Sequence, residues 1–316
     1  MANNTIEINF ILLGISGMAE LQLVLYFIFL LLYMVIIFGN LLILGLIGLD
    51  ARLHTAMYFF LCHLSVLDVC SPTVTVPKML GNLLLERKTI SIHGCIIQFS
   101  FFIFFASSEC LLLSAMAYDR YVAICHPLRY AAIMNVSQCA QLAAVCWAGG
   151  FLNSLMHTLA TGRLSFCRPR TIHHFFCDVP QVFTVSCTDP FINVLLVLVS
   201  GIIMGLGSFV VIIFSYVYIS SAVLKIGTST GRSKAFSTCS SHVTVVTFYF
   251  GAMFLTYFRP ASIYAMTEGR LLSVIYTVIT PLVNPLIYTL RNQEIRGALK
   301  NALRTWTTIV QQRSVL

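Results

Sequence analysis

Two carboxyl groups lie inside long apolar stretches of this sequence, where an ionisable side chain is costly. Asp68 and Glu109 each stand near the middle of such a stretch. If lipid surrounds the stretches, a charge at that depth costs roughly 2.5–3.5 kcal/mol even on insertion-based scales. We therefore expect both residues to face the interior of a helix bundle, where they are hydrogen-bonded to neighbours, share a proton or hold a sodium ion. The sequence does not choose between these states.

An acid and an arginine end the stretch that contains Glu109. Steps of three and four residues from Glu109 reach Phe105 and Phe102 in one direction and Arg120 in the other, which places these side chains on one face of a helix. Asp119 is the immediate neighbour of Arg120, and adjacent helical residues point to different faces, so their ion pair should be loose. Arg120 could extend to the water interface or be released to a partner when the bundle opens. The shared face favours the second role.

The composition indicates that membrane helices position these residues. Of the 316 residues, 58% are hydrophobic and 9% are charged, whereas soluble proteins carry about 25% charged residues. The net charge of +8 does not indicate nucleic-acid binding, because no basic run interleaves with aromatic residues. The sequence has no Ser/His/Asp arrangement, H-E-x-x-H motif or phosphate-binding loop, so we expect neither an enzyme nor a cofactor.

Seven apolar stretches are long enough to cross a bilayer, which takes about 20 residues each. We predict an all-α membrane protein with a single domain, 1–316, in which an N-terminal segment (1–22) and a tail (291–316) flank a seven-transmembrane helix bundle (23–290). With the N-terminus extracellular and the C-terminus cytoplasmic, eleven Lys and Arg residues lie inside and eight outside, which favours this orientation. The predicted spans are about 23–48, 57–80, 96–121, 139–161, 192–222, 238–258 and 271–290.

Four of the eleven cysteines lie in the predicted outer loops, where the environment is oxidising: Cys95, Cys167, Cys177 and Cys187. They indicate two disulfides, although three pairings are possible and the spacing does not choose one. A zinc site is disfavoured because no C-x2-4-C pair occurs. The sequon Asn3-Asn4-Thr5 lies on the same side, so Asn3 is a candidate glycosylation site.

Five segments at the ends of the predicted spans or in the loops carry a family pattern. They are LHTAMYFFLCHLS (Leu53–Ser65), MAYDRYVAICHPLRY (Met116–Tyr130), HFFCD (His174–Asp178), KAFSTCSSHVTVV (Lys234–Val246) and PLVNPLIYTLRN (Pro281–Asn292). Together, in this order, they resemble the odorant receptors, which are rhodopsin-like G-protein-coupled receptors. The resemblance covers nearly the whole chain, from Gly39-Asn40 to Asn292. One departure is Ala56, where the family usually has proline; alanine is the better helix former, so the second helix could begin slightly earlier.

The resemblance implies roles that spacing alone does not give. Cys95 would pair with Cys177, and Cys167 with Cys187. The residues for G-protein coupling and activation would comprise an acid–arginine–tyrosine triplet, a tyrosine of the fifth helix that meets the arginine in the active state, the inner end of the sixth helix, and a motif of the seventh helix. The triplet is Asp119, Arg120 and Tyr121, and the tyrosine of the fifth helix is Tyr216. The residue of the sixth helix is His242, and the motif of the seventh comprises Asn284, Pro285 and Tyr288.

The resemblance also places a ligand between the third, fifth, sixth and seventh helices, beneath the long second outer loop. The inward-facing positions there are apolar with a few hydroxyls, and no carboxylate that could bind an amine is evident near Phe102. We therefore predict small, neutral, largely apolar volatile ligands with one oxygen function. The candidate positions are Phe102, Phe105, Ala106, Ser107, Ser200, Met204, Tyr249, Met253, Thr256, Tyr257, Ser273 and Thr277.

The resemblance thus predicts an odorant receptor of the plasma membrane, expected in sensory-neuron cilia, that activates a stimulatory, olfactory-type G protein and raises cAMP. One alternative is a rhodopsin-like receptor for another small ligand, disfavoured by the missing amine partner and the short N-terminal segment. The other is a proton-coupled transporter with Asp68 and Glu109 on the proton path, disfavoured because no internal repeat occurs. The expected partners are a volatile odorant, the G protein and membrane lipid.

Overall fold

The computed structural model describes residues 9–15, 19–86, 88–167, 170–257 and 267–313. Seven helices in these ranges are long and apolar enough to cross a membrane, which confirms the predicted class, and we number these spans one to seven along the chain. We call the end with the two disulfides the outer end and the opposite end the inner end. Spans one to four are the helices Ala19–Leu49, Ala56–Leu84, Ile92–Cys125 and Val136–Thr161.

Spans five and seven each contain a π-helical segment. Span five comprises Phe191–Ser200, the π segment Gly201–Leu206 and Gly207–Leu224; span seven comprises Thr267–Val274, the π segment Ile275–Ile279 and Thr280–Arg291. In span seven the irregularity precedes Pro281, which has no N–H for the regular helical ladder. The hydroxyl of Thr280 donates instead to the carbonyl of Ile275, at 3.2 Å.

Span six and the helices outside the seven spans complete the helical part of the fold. Span six belongs to the helix Ser229–Tyr257, and a final helix, Gln293–Arg313, follows span seven. Short helical turns occupy the inner loops at Ala51–Leu53, Pro127–Arg129 and Tyr130–Ile133, and the outer loop at Val179–Thr184.

A small β-sheet covers the outer end. Strand β1 (Asn9–Leu12) lies in the centre, antiparallel to β2 (Thr89–Ser91) and parallel to β3 (Thr171–Ile172). Phe10 and Leu12 of β1 are fully buried and pack with the outer part of span three and the loop between spans four and five. No pattern in the sequence predicts this strand in the N-terminal segment.

Spans three and four approach closely along their length. A Cβ atom added to Gly150 would stand 2.8 Å from the carbonyl oxygen of Phe104, so the span-four backbone comes this near only because position 150 lacks a side chain. Polar side chains join the same two helices: the hydroxyl of Ser154 donates to the carbonyl of Ser100, at 2.6 Å. Small residues and interhelical hydrogen bonds are the usual means of packing helices in lipid.

Candidate functional site

Two disulfides hold the outer loop between spans four and five over the bundle. Cys95, at the start of span three, is bonded to Cys177, and Cys167 is bonded to Cys187 within the loop. This is the pairing that the resemblance implied. In this loop His174, Phe175 and Phe176 are buried, and the two phenylalanines pack with residues of spans one, two, three and seven.

His174 joins this loop to span seven. Its Nδ1 accepts the N–H of Phe176 at 3.4 Å, so its Nε2–H donates to the Oγ of Ser273, at 2.9 Å. The side chain is 3% exposed. Burial, together with the positive charge of Arg270, lowers the pKa of His174 to about 3, so the ring is neutral at physiological pH.

An aromatic cluster lies beneath the loop. The ring of Phe102, a predicted ligand residue, has its centroid 5.1 Å from that of Phe176 and 5.7 Å from that of Tyr276. The hydroxyl of Tyr276 donates to Asp178, at 3.4 Å. A carboxylate therefore lies nearer to Phe102 than the sequence indicated, but its other oxygen accepts the N–H of Val179, at 2.8 Å. Both oxygens of Asp178 are thus engaged within the protein.

Three predicted ligand residues contact span four, which the prediction left out of the pocket. Asn153 donates to the Oγ of Ser107 at 2.8 Å, and His157 is hydrogen-bonded to the Oγ of Ser200 at 3.1 Å. The ring of Phe105 lies 6.5 Å from that of Trp147. Asn153 and His157 are polar residues in an apolar stretch, a signal in the sequence that the prediction did not use.

Other predicted ligand residues meet in the middle of the bundle. The hydroxyl of Tyr249 in span six donates to the carbonyl of Ala106 in span three, at 2.6 Å. The carbonyl of Met204, within the π segment of span five, accepts a hydrogen bond from the Sγ of Cys110, at 3.3 Å. The methyl group of Met253 would lie 3.6 Å from a Cβ atom on Gly205. Spans three, five and six therefore converge at this level.

The rest of the predicted ligand set adds little polar character to the interior. The hydroxyls of Thr256 and Thr277 donate within their own helices, at 2.8 and 2.7 Å. The side chain of Tyr257 and the residue Asn3 lie outside the described residues.

Clefts of about 590 and 440 Å³ occur elsewhere, the first between spans two and three at the outer end and the second beside the inner loop after span three.

The two intramembrane acids lie at the centre of a buried polar region. Asn284 donates to both carboxylate oxygens of Asp68, at 2.9 and 3.1 Å, and the carboxyl of Glu109 is close enough for the two acids to interact electrostatically. Among the described residues, Glu109 Oε1, Asn284 Oδ1 and Ser65 Oγ are buried without a hydrogen-bond partner. Oxygen atoms of this kind bind hard cations or protons. The described residues contain no group of three or more His, Cys, Asp or Glu that could hold a metal ion.

Span one supports the proline-rich part of span seven. A Cβ atom on Gly39 would lie 3.3 Å from the Cβ of Pro285, so glycine permits the close contact. Pro285 has no N–H to donate to the carbonyl of Pro281. That carbonyl instead accepts the side-chain amide of Asn40, at 3.4 Å.

At the inner end, Arg120 is buried with little to hold its charge. It is 6% exposed, and its Nε lies 3.8 Å from Asp119, a loose ion pair of the kind that the sequence predicted. Asp119 accepts a shorter hydrogen bond, at 2.7 Å, from the hydroxyl of Tyr130. The hydroxyl of Tyr121 is hydrogen-bonded to His126 instead, at 3.1 Å.

A histidine connects spans three, five and six just above Arg120. The Nε2–H of His242 donates to the carbonyl of Leu113, at 3.2 Å, which leaves its Nδ1 to accept the hydroxyl of Tyr216, at 2.8 Å. The two rings are stacked, with centroids 5.8 Å apart. Tyr216 therefore bonds to His242 in this structure, whereas the resemblance implied contact with the arginine in the active state.

Span two is joined to the final helix at the same end. Tyr58 is fully buried; its hydroxyl donates to Glu294 at 2.6 Å and accepts the side-chain amide of Asn292 at 3.0 Å. Tyr288 is buried, and its hydroxyl has no partner among the described residues.

Comparison with known proteins places the whole chain among relatives of one kind. A family model described as "Olfactory receptor" matches residues 29–305. The chain is 47% identical to gorilla olfactory receptor 1G1, with 93% of this chain and 94% of that protein covered. It is 44% identical to human olfactory receptor 5F1, with 95% and 96% covered, and 46% identical to human olfactory receptor 5I1, with 96% of each covered.

Proposed function

Since this chain belongs to the olfactory receptor family, the odorant-binding G-protein-coupled receptors of the plasma membrane, we propose that it binds small, largely apolar volatiles and activates a stimulatory, olfactory-type G protein that raises cAMP. The observation that carries the proposal is the state of Arg120, which is buried beside a weak 3.8 Å ion pair. A cation held so loosely is available to a partner once the helices around it separate.

The chemistry beneath the outer loop supports an apolar ligand. Phe102, Phe176 and Tyr276 present aromatic surface, and Ser273 supplies a hydroxyl that already bonds His174. A neutral ligand with one oxygen fits this surface, because such pockets fix orientation with few polar groups. An amine ligand is disfavoured, since the protein itself engages both oxygens of Asp178.

The contacts of His242 support a mechanism for coupling. A ligand that binds better when span six has moved shifts the population toward that arrangement. Outward movement of the inner end of span six separates His242 from Tyr216 and from the carbonyl of Leu113. Tyr216 is then free to meet Arg120, and Arg120 is exposed to the G protein.

The buried acids form the link between the two ends. Asp68 joins span two to Asn284 in span seven, and Glu109 lies on the same helix as both Phe102 and Arg120. We propose that a sodium ion or a shared proton neutralises the pair in the resting receptor. The unpartnered oxygens of Glu109, Asn284 and Ser65 support the ion.

The test is a cAMP assay in cells that supply the olfactory G protein and trafficking chaperones, against chemically varied volatiles. Arg120→Ala is expected to abolish the ligand-driven response while surface expression is retained. Arg52→Ala is the matched control, because Arg52 is also at the inner end but is exposed and paired with Asp50. An intact response in Arg120→Ala at normal surface level would contradict the coupling role.

A second pair of variants tests the ligand site. Phe102→Leu removes the ring beneath the outer loop and should raise the effective concentration of active odorants. Phe151→Leu, at an exposed phenylalanine of span four, should leave the response unchanged. If Phe102→Leu responds as the wild type and Phe151→Leu do, the ligand binds elsewhere. Separately, ligand-driven ion flux without the G protein would favour a transporter.

A further inference from the structure

A cleft of about 590 Å³ opens between spans two and three at the outer end, away from the predicted odorant pocket. Its volume lies within the roughly 300–1,000 Å³ of small-molecule sites. Its polar lining includes Lys78 of span two and Thr89 and Ser91 of β2, which lie toward the outer end of their elements. Val74, Ile97 and Phe101 line the other end.

The two ends of the cleft differ in their depth in the membrane. Ser91 precedes the first residue of span three, and Phe101 lies ten residues further along the same helix. At 1.5 Å per residue this is a rise of about 15 Å, or about half of the hydrocarbon thickness of a bilayer. Ile97 and Phe101 are 57% and 49% exposed, so lipid chains can reach this end from the side.

Lys78 supplies a charge at the polar end. It stands six residues before the last residue of span two, Leu84, which places its backbone roughly 9 Å below the outer end of the helix. No carboxylate of the described residues lies within ion-pair distance of its ammonium group. The ion pairs among the described residues, Arg52–Asp50 and Arg120–Asp119, are both at the inner end. A cation within a membrane span is costly unless an anion accompanies it.

We propose that this cleft binds a long-chain fatty acid from the outer leaflet. The carboxylate forms a charge-assisted hydrogen bond with Lys78, and the hydroxyl groups of Thr89 and Ser91 lie at the same end. The alkyl chain extends toward the membrane centre over Ile97 and Phe101. This site is spatially separate from the odorant site proposed above.

Gln98 connects the cleft to the loop that covers the odorant pocket. Gln98 lines the cleft and is buried; its amide donates to the carbonyl of Val74 at 2.9 Å, and its side-chain oxygen accepts the N–H of Cys177 at 3.0 Å. Cys177 belongs to the disulfide-anchored loop. A fatty acid in the cleft lies against Gln98, so we expect its occupancy to modulate the odorant response through these two bonds.

The experiment uses the purified receptor in nanodiscs of zwitterionic lipid and a palmitic acid that carries a photoreactive diazirine and an alkyne. Labelled peptides are identified by mass spectrometry. We expect labelling on the segments that contain Val74 and Ile97, with competition by palmitate but not by methyl palmitate, which lacks the charge. Lys78→Gln should lower the labelling about tenfold, the effect of one charge-assisted bond.

Matched variants keep the test specific. Lys88→Gln removes an outer lysine that does not line the cleft and should leave labelling unchanged. Ile97→Trp fills the apolar end and should abolish labelling, whereas Leu152→Trp, at an exposed leucine of span four, should not. Melting temperatures equal to wild type show that each variant is folded. Labelling that resists Lys78→Gln, or that methyl palmitate competes equally, overturns the proposal, as does stronger competition by an anionic phospholipid than by palmitate.

Discussion

Replacing His242 by phenylalanine should activate the receptor without ligand. Phenylalanine preserves the ring that stacks on Tyr216 but removes both bonds of His242, at 2.8 Å to the tyrosine and 3.2 Å to the carbonyl of Leu113. A hydrogen bond contributes about 1 kcal/mol net, so the resting arrangement loses about 2 kcal/mol relative to one in which both bonds are already broken. This corresponds to a factor of about 30 in the equilibrium.

The expected effect is measurable as ligand-free signalling. If about 0.1% of wild-type receptors are active at rest, about 3% of the variant should be active. The assay is basal cAMP in cells that express the olfactory G protein, normalised to surface receptor. Thr244→Val is the matched control: Thr244 lies on the same helix, and its hydroxyl donates only to the carbonyl of Ser240 in that helix.

Basal signalling equal to wild type in His242→Phe, at equal surface level, would refute this reasoning. It would mean that the bonds of His242 persist in the active state or that the phenylalanine ring alone restrains span six. A rise in Thr244→Val as large as in His242→Phe would show that the effect is a general loosening of the helix.

Three further variants test the outer, middle and inner parts of the molecule. The pKa of His174 is about 3 in the folded protein and about 6.5 in the unfolded chain. The neutral, buried ring therefore contributes fully to the free energy of unfolding above about pH 6.5, and this contribution is lost as the pH falls from about 6.5 toward about 3. At pH 5 the loss is about 2 kcal/mol, so the purified receptor should melt at a lower temperature than at pH 7.4, and His174→Phe should reduce this difference. Asp68→Asn should remove any dependence of odorant potency on sodium, measured after replacement by a large organic cation; unchanged sodium dependence would contradict the ion site. Tyr58→Phe should destabilise the final helix by about 1 kcal/mol through loss of the 2.6 Å bond to Glu294, seen as faster hydrogen exchange there.

The seven spans and their buried faces could be predicted from the sequence because lipid forces each span to be apolar, helical and about 20 residues long. The spacing from Glu109 correctly predicted the burial of Phe102 and Arg120. The helix that contains span six begins at Ser229, not at 238, because its inner turns are polar and hydropathy cannot mark a helix that extends into water.

Contacts between distant segments could not be predicted. Phe176 lies beside Phe102 because a disulfide anchors its loop there, and Tyr276 reaches the same ring from span seven. The HFFCD pattern marks Phe176 but does not say which side chain it meets. The hydrogen bond between Tyr216 and His242 likewise depends on how spans five and six pack. The pairing of His157 with Ser200 was within reach, since a polar residue in an apolar span must find a partner.

The position of β1 has a consequence for biosynthesis. This strand leaves the ribosome before β2 and β3, yet it lies between them, and its Ile11 pairs with Thr171. It has no second neighbour until the fourth span has been inserted and the loop beyond it has reached the lumen. Contacts so distant in sequence form slowly, so β1, paired on one side at most, leaves an open edge and its apolar Phe10 available to chaperones and quality-control factors until β3 has been made.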